Sequence, residues 1–193
     1  MAPAPKSLLQ IAGAPLTPSP LNGSVLVIID AQLEYVKGAL PLQGVDAAIR
    51  EAALLLAVAR KIAMPVFHIV QHAPAGRPLF ADDGPYAAIV PQLNPAAGEI
   101  VLRKTLPNAF AGTDLHELIQ STGRKEIIFA GFMTHMCVSA SARAALDLKY
   151  RSTVVANATA TRDLPDPLGG MIPASVVHRT ALSELADRFA IVV

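Results

Sequence analysis

The chain carries one cysteine, Cys137, among 193 residues. A single thiol cannot close an intramolecular disulfide, so nothing here points to an oxidising compartment. Charge is also scarce. Only 16% of residues are charged and the formal net charge is +1, which gives no electrostatic reason to expect nucleic acid or an anionic membrane as partner. No apolar run approaches the roughly 20 residues that a membrane-spanning helix requires. The N-terminal stretch has one early basic residue, Lys6, and is broken by Pro3, Pro5, Pro15, Pro18 and Pro20. It lacks the basic start and unbroken apolar core of a secretory signal. These absences lead to the expectation of a cytoplasmic protein with no membrane span.

Apolar residues, by contrast, make up 52% of the chain, enough for a large core in one domain. Residues 1–22 read as an irregular Pro-rich arm, and 23–193 as the domain. Low charge with high apolar content favours a helix-face interface and a homo-oligomer, dimer or tetramer. Val25-Leu26-Val27-Ile28-Ile29 is a continuous apolar run, the pattern of a strand buried on both faces. Further strands are expected at 66–70, 99–102, 126–130, 153–156 and 189–193. Helices are expected over 46–63, capped by Asp46, over 114–122, capped by Thr113 with Gly123 just past its end, over 137–148, and after Pro173. A Pro- and Gly-bearing loop covers 72–98. Strands alternating with helices predict a three-layer α/β/α sandwich around a mainly parallel, roughly six-stranded sheet.

In a parallel sheet the loops leaving the carboxyl ends of the strands open on one rim, where ligands bind. Asp30 ends the first strand, Lys104 follows the third and Cys137 follows the fourth. An ammonium and a helix N-terminus near a thiol favour thiolate. A carboxylate there can accept the thiol proton and return it to a leaving amine. Backbone N–H groups of the turn at 133–137 can meet an oxyanion. Each residue also has a plainer role: Asp30 as a turn cap, Lys104 as a solvated lysine, Cys137 as an inert buried thiol.

Val27-Ile28-Ile29-Asp30-Ala31-Gln32, Lys104 with Asn108-Ala109-Phe110 and Thr113-Asp114-Leu115, and Gly131-Phe132-Met133-Thr134-His135-Met136-Cys137-Val138 together resemble the isochorismatase-like cysteine hydrolases. That family includes nicotinamidases, carbamoylsarcosine amidohydrolases and ureidoacrylate hydrolases. The resemblance runs from about residue 24 to the C-terminus, through Ala142-Arg143-Ala144-Ala145-Leu146-Asp147 and Asn157-Ala158-Thr159-Ala160-Thr161. It implies a catalytic set of Asp30 as proton acceptor, Lys104 as charge partner and Cys137 as nucleophile. It also implies a non-proline cis bond at Met133–Thr134 and oxyanion donors on Thr134 and Cys137.

Gln32, Tyr35, Phe110, Met133 and His135 are the candidate substrate contacts. His178, Asn157 and Thr159 read as structural. Metal-using relatives carry an Asp and several His near the second strand. Here His68 and His72 stand about 13 Å apart along an extended strand, with Asp82 and Asp83 in the later loop, so neither a metal nor another cofactor is expected. The reaction so implied is hydrolysis of a C–N bond in a small amide, carbamoyl or ureido compound. Vinyl-ether hydrolysis of the isochorismatase type, and a non-catalytic member with a redox-sensing thiol, stand as alternatives.

Overall fold

The computed structural model describes residues 4–193. Six strands form one parallel sheet: β1 (Ser24–Ile29), β2 (Val66–Gln71), β3 (Ile100–Lys104), β4 (Glu126–Phe132), β5 (Arg151–Ala160) and β8 (Ile191–Val192), in the spatial order β3-β2-β1-β4-β5-β8. A two-stranded antiparallel hairpin, β6 (Leu164–Pro165) and β7 (Met171–Ile172), lies outside it. The helices are α1 (Leu8–Ile11), α2 (Val45–Lys61), α3 (Leu115–Ser121), α4 (Ser139–Asp147) and α5 (Ala174–Arg188).

Every residue of β1 is buried, the consequence of a run that is apolar on both faces. Val25, Val27 and Ile29 join one core with Leu115, Ile119, Ala142 and Leu185 from α3, α4 and α5. Leu26 and Ile28 face the other side and join a second core with Ala48, Ile49, Ala52 and Leu56 of α2. The chain is therefore the three-layer sandwich expected from its alternating pattern. Strand order reverses at β1, between β2 and β4. The crevice beyond the carboxyl ends of β1 and β4 is the position where open α/β sheets bind ligands.

Several boundaries differ from the pattern. Gly44, at φ +69°, is the N-cap of α2, and Asp46 is the second residue of the helix, where it complements the positive end. β5 runs from Arg151 to Ala160, well past the expected 153–156, because a register shift opposite Phe129 and Gly131 lets pairing resume at Thr159. The arm is not irregular throughout. Ser7 and Gln10 make a reciprocal capping box that starts α1, and the Leu8 N–H donates to Asp187 of α5 at 2.8 Å.

Candidate active site

β3 extends to Lys104, so this lysine is the last residue of a strand, and its side chain turns inward to full burial. Asp30 follows β1 in a left-handed conformation, φ +49°, which costs a non-glycine residue about 1–2 kcal/mol. Its N–H is held by Ile69 O at 2.8 Å. Cys137 was expected in the first turn of a helix. It sits instead inside a wide π-helical turn, Thr134–Val138, that precedes α4. Ser141 of α4 donates to the Cys137 carbonyl at 2.7 Å and accepts the Ala109 N–H at 2.9 Å.

These three elements bring the chemistry together. Lys104 Nζ lies 2.7 Å from Asp30 Oδ2 and donates toward Cys137 Sγ at 3.4 Å. Its third contact, 2.7 Å to Gln71 Oε1 at the end of β2, escaped the sequence reading. Gln71 was nonetheless findable, since parallel pairing sets it level with Lys104. Lys104, the Cys137 thiol and the Gln71 backbone all face the Asp30 carboxyl and work to lower it.

The electrostatics run against one expectation. Burial pushes the Cys137 thiol up to about 12, and the Asp30 charge adds to it, while Lys104 pulls the other way. Lys104 does not win, because one cation serves two acids in a site closed to water. Burial likewise raises Asp30 above the ordinary carboxylate range, against the pull of Lys104. Burial and the Asp30 charge thus favour the neutral thiol, and burial makes the Asp30 carboxylate more basic than usual.

The cis peptide falls at Phe132–Met133, one bond earlier than Met133–Thr134. β4 runs on to Phe132 rather than stopping at Ala130, and Met133 is already the extended residue that caps the turn. The Met133 carbonyl accepts the N–H groups of Met136 at 3.0 Å and Val138 at 3.2 Å. Two histidine contacts tie the turn to neighbouring segments. Thr134 Oγ1 meets His178 Nδ1 at 2.9 Å, and His135 Nδ1 meets Thr161 Oγ1 at 2.6 Å. Thr161 and His178 also wall a cavity of about 450 Å³ between the N-terminal ends of α2 and α5.

The expected substrate contacts divide. Tyr35 is buried edge-on against Phe80 and Phe132. Its phenol is raised by burial, with the Asp30 and Cys137 charges adding to it. Met133 packs in the α2-side core with it. Gln32 is spent structurally: its amide donates to Gln71 O and Ala87 O and accepts the Gln71 N–H. That stitches the rim to β2 and to loop 72–98. Phe110 stacks on Tyr150 and lines a separate recess with His116 and Leu148 that none of Asp30, Lys104 and Cys137 lines, because its loop turns toward α3 and α4.

His68 is a buried core residue bonded to Glu99 at 2.8 Å. Asp82 does return to His72, at 2.6 Å, but Arg103 shares its carboxylate. Among the described residues no three His, Cys, Asp or Glu side chains converge as a metal site would require.

The chain is similar to known proteins over most of its length. Residues 24–193 match the isochorismatase domain. The secreted isochorismatase effector Isc1 of Verticillium dahliae is 36% identical over 97% of this chain and 96% of its own. The maleamate amidohydrolase of Pseudomonas putida is 35% identical over 67% of this chain and 68% of its own. A crystal structure of an isochorismatase from Pseudomonas putida superposes with a TM-score of 0.93 at 42% identity, covering 98% of this chain and 96% of the other.

Proposed function

The chain belongs to the isochorismatase family, and within that family of hydrolases we propose that it cleaves the C–N bond of a small amide, carbamoyl or ureido compound through a thioester on Cys137. The observation that carries this reading is the Lys104 ammonium held between Asp30 and Cys137, 2.7 Å from the first and 3.4 Å from the second. The Pseudomonas putida relative is named an amidohydrolase.

The steps follow from the resting charges. The Cys137 thiol gives its proton to Asp30, and the thiolate attacks the substrate carbonyl carbon. Lys104 offsets the negative charge throughout, so proton transfer leaves the pair neutralised rather than exposed. Backbone N–H groups of Thr134 and Cys137 meet the oxyanion. Asp30 returns the proton to the nitrogen, the C–N bond breaks, and amine or ammonia leaves. Water then attacks the thioester, giving one proton to Asp30. The C–S bond breaks, the thiol re-forms with the proton held on Asp30, and the acid departs. A raised Asp30 suits the base role because its proton affinity comes nearer to working pH.

Vinyl-ether cleavage needs no acyl acceptor, so a thiol paired with a proton acceptor favours acyl transfer. We also propose the cytoplasm as location, on the single cysteine, although the Verticillium dahliae relative is named as secreted. No helix among the described residues is long and apolar enough to cross a membrane.

The test is release of ammonia or amine from a panel of small amides and ureides, with Cys137→Ala and Asp30→Asn as controls. Turnover lost in both variants supports the reading. Turnover that survives Cys137→Ala overturns it.

A further inference from the structure

The N-terminal arm walls a cavity at the edge of the sheet opposite the triad. Arg151 and Ile191 are the first residues of β5 and β8 and both line it. Lys104 ends β3, while Asp30 and Cys137 follow the ends of β1 and β4. In a parallel sheet first and last residues mark opposite edges. The arm is fastened on either side of the stretch that lines the cavity. Before it, the Leu8 N–H donates to Asp187 Oδ1 at 2.8 Å. After it, Arg151 donates to Thr17 O, and the Ser19 N–H donates to Thr153 Oγ1 at 2.8 Å. Between these ties the chain turns at Gly13, φ +64°. Leu9, Ala14 and Pro15 then face Leu146, Phe189 and Ile191 across about 320 Å³, the low end of the range for small-molecule pockets.

Two polar features mark this largely apolar space. The first is Ser152, which lines the cavity, is 2% exposed, and has a hydroxyl without a hydrogen-bond partner among the described residues. Side chains alternate along β5, so Ser152 shares the face of Val154, which packs with Ala142 and Leu185 of α4 and α5. A buried hydroxyl left unpaired is costly unless something polar meets it. The second is charge. Lys149, Arg151 and Arg188 line the cavity and no carboxylate does. Arg151 is taken by Glu126 at 2.6 Å. Lys149 and Arg188 are exposed and enter no ion pair among the described residues.

We propose that this cavity is a second binding site, separate from the triad, and that it takes a small carboxylate whose apolar body carries a hydroxyl group. The carboxylate meets Lys149 and Arg188 at the mouth. The apolar body lies between the arm and Phe189. The hydroxyl pairs with Ser152 at the inner end. A ligand so held touches both the arm and the sheet, so binding also fixes the arm in place. The site does not depend on the hydrolase reading.

The experiment titrates the full chain with three probes that differ in one group each: 4-hydroxyphenylacetate, phenylacetate without the hydroxyl, and 4-hydroxyphenylethanol without the charge. Methyl NMR places the ligand, with Leu9, Leu146 and Ile191 reporting on the cavity and Met133 on the triad side. 4-Hydroxyphenylacetate should shift the first three and leave Met133 unmoved. Its Kd should be lower than that of phenylacetate by about fivefold, the worth of one hydrogen bond. It should be lower than that of the alcohol by about threefold, the worth of an exposed charge contact. Ser152→Ala should erase the first ratio and keep the second, without lowering the thermal midpoint of the free protein, since its hydroxyl has no partner to lose. Arg188→Gln, at an exposed position, should shrink the second ratio and keep the first. Shifts confined to Met133, equal affinity for the three probes, no saturable binding, ratios unmoved by either variant, or a free Ser152→Ala protein that melts lower would overturn the assignment.

Discussion

Gly131 passes so close to Ile29 that a Cβ built on it stands 2.0 Å from the Ile29 carbonyl oxygen. This contact joins β4 to β1 at the rim, one residue before Asp30 and six before Cys137, so the spacing of the proposed base and nucleophile depends on it. Gly131 also holds φ +109°, a region closed to L side chains. Gly131→Ala should cost at least about 3 kcal/mol, combining overpacking with backbone strain. Urea unfolding would measure it, and a loss under about 1 kcal/mol would mean that the strands part more easily than the packing implies.

The thiol should respond to its two charged neighbours in opposite directions. Asp30 raises Cys137 and Lys104 lowers it. Asp30→Asn therefore moves the midpoint of iodoacetamide alkylation to lower pH and speeds modification at neutrality, even as turnover disappears. Lys104→Met moves it further up. The unaltered protein should alkylate slowly until well above the roughly 8.5 of a free thiol. Equal midpoints in all three proteins would show that burial alone governs the sulfur.

Lys104 and Asp30 are fully buried partners. Removing one strands the other's charge. Lys104→Met should lose about 3–5 kcal/mol in chemical denaturation. Lys104→Met with Asp30→Asn should recover part of that loss, because the uncompensated carboxylate is gone. Additive losses would mean that the two do not interact.

Acid stability should carry the mark of Glu99. Burial works to raise its carboxyl, but Arg60, the Ala96 N–H and His68 outweigh burial and hold it at about 2. A folded value below the unfolded one contributes stability above roughly pH 4.3, and that contribution is lost as pH falls toward 2. Arg60 is partly solvated, so screening limits the effect to on the order of 1 kcal/mol. Glu99→Gln should flatten the acid limb of the stability curve over that window. An unchanged limb would assign acid sensitivity to other carboxylates.

Gln32 should matter for order more than for substrate. Its side chain accepts the Gln71 N–H at 2.9 Å and donates to Ala87 O at 2.7 Å. In Gln32→Ala the Gln71 amide and the loop over 72–98 should exchange hydrogen faster, and stability should fall by about 2 kcal/mol for buried groups left unpaired. A change in KM with unaltered exchange would return Gln32 to the list of substrate contacts.

Much of this protein is determined along the chain itself. Unbroken apolar runs at 25–29 and 127–130 can be satisfied only in strands covered on both faces. The Val177, Ala181 and Leu185 spacing makes one buried face of α5. Asp30, Lys104 and Cys137 end up on one rim because parallel strands send their carboxyl ends the same way. These features follow from local periodicity, and local periodicity survives folding. What tertiary structure alone decided depends on contacts between distant segments. The thiol is held neutral because burial outweighs Lys104, and burial depends on every element around it. Gln32 ties the rim to the loop because Ala87 comes back to meet it. Phe110 faces Tyr150 because its loop turns toward α3 and α4. The Asp163 carboxylate is claimed by Gln43 and Ala174, from segments 120 and 11 residues away. Competition for a partner through space has no period along the chain.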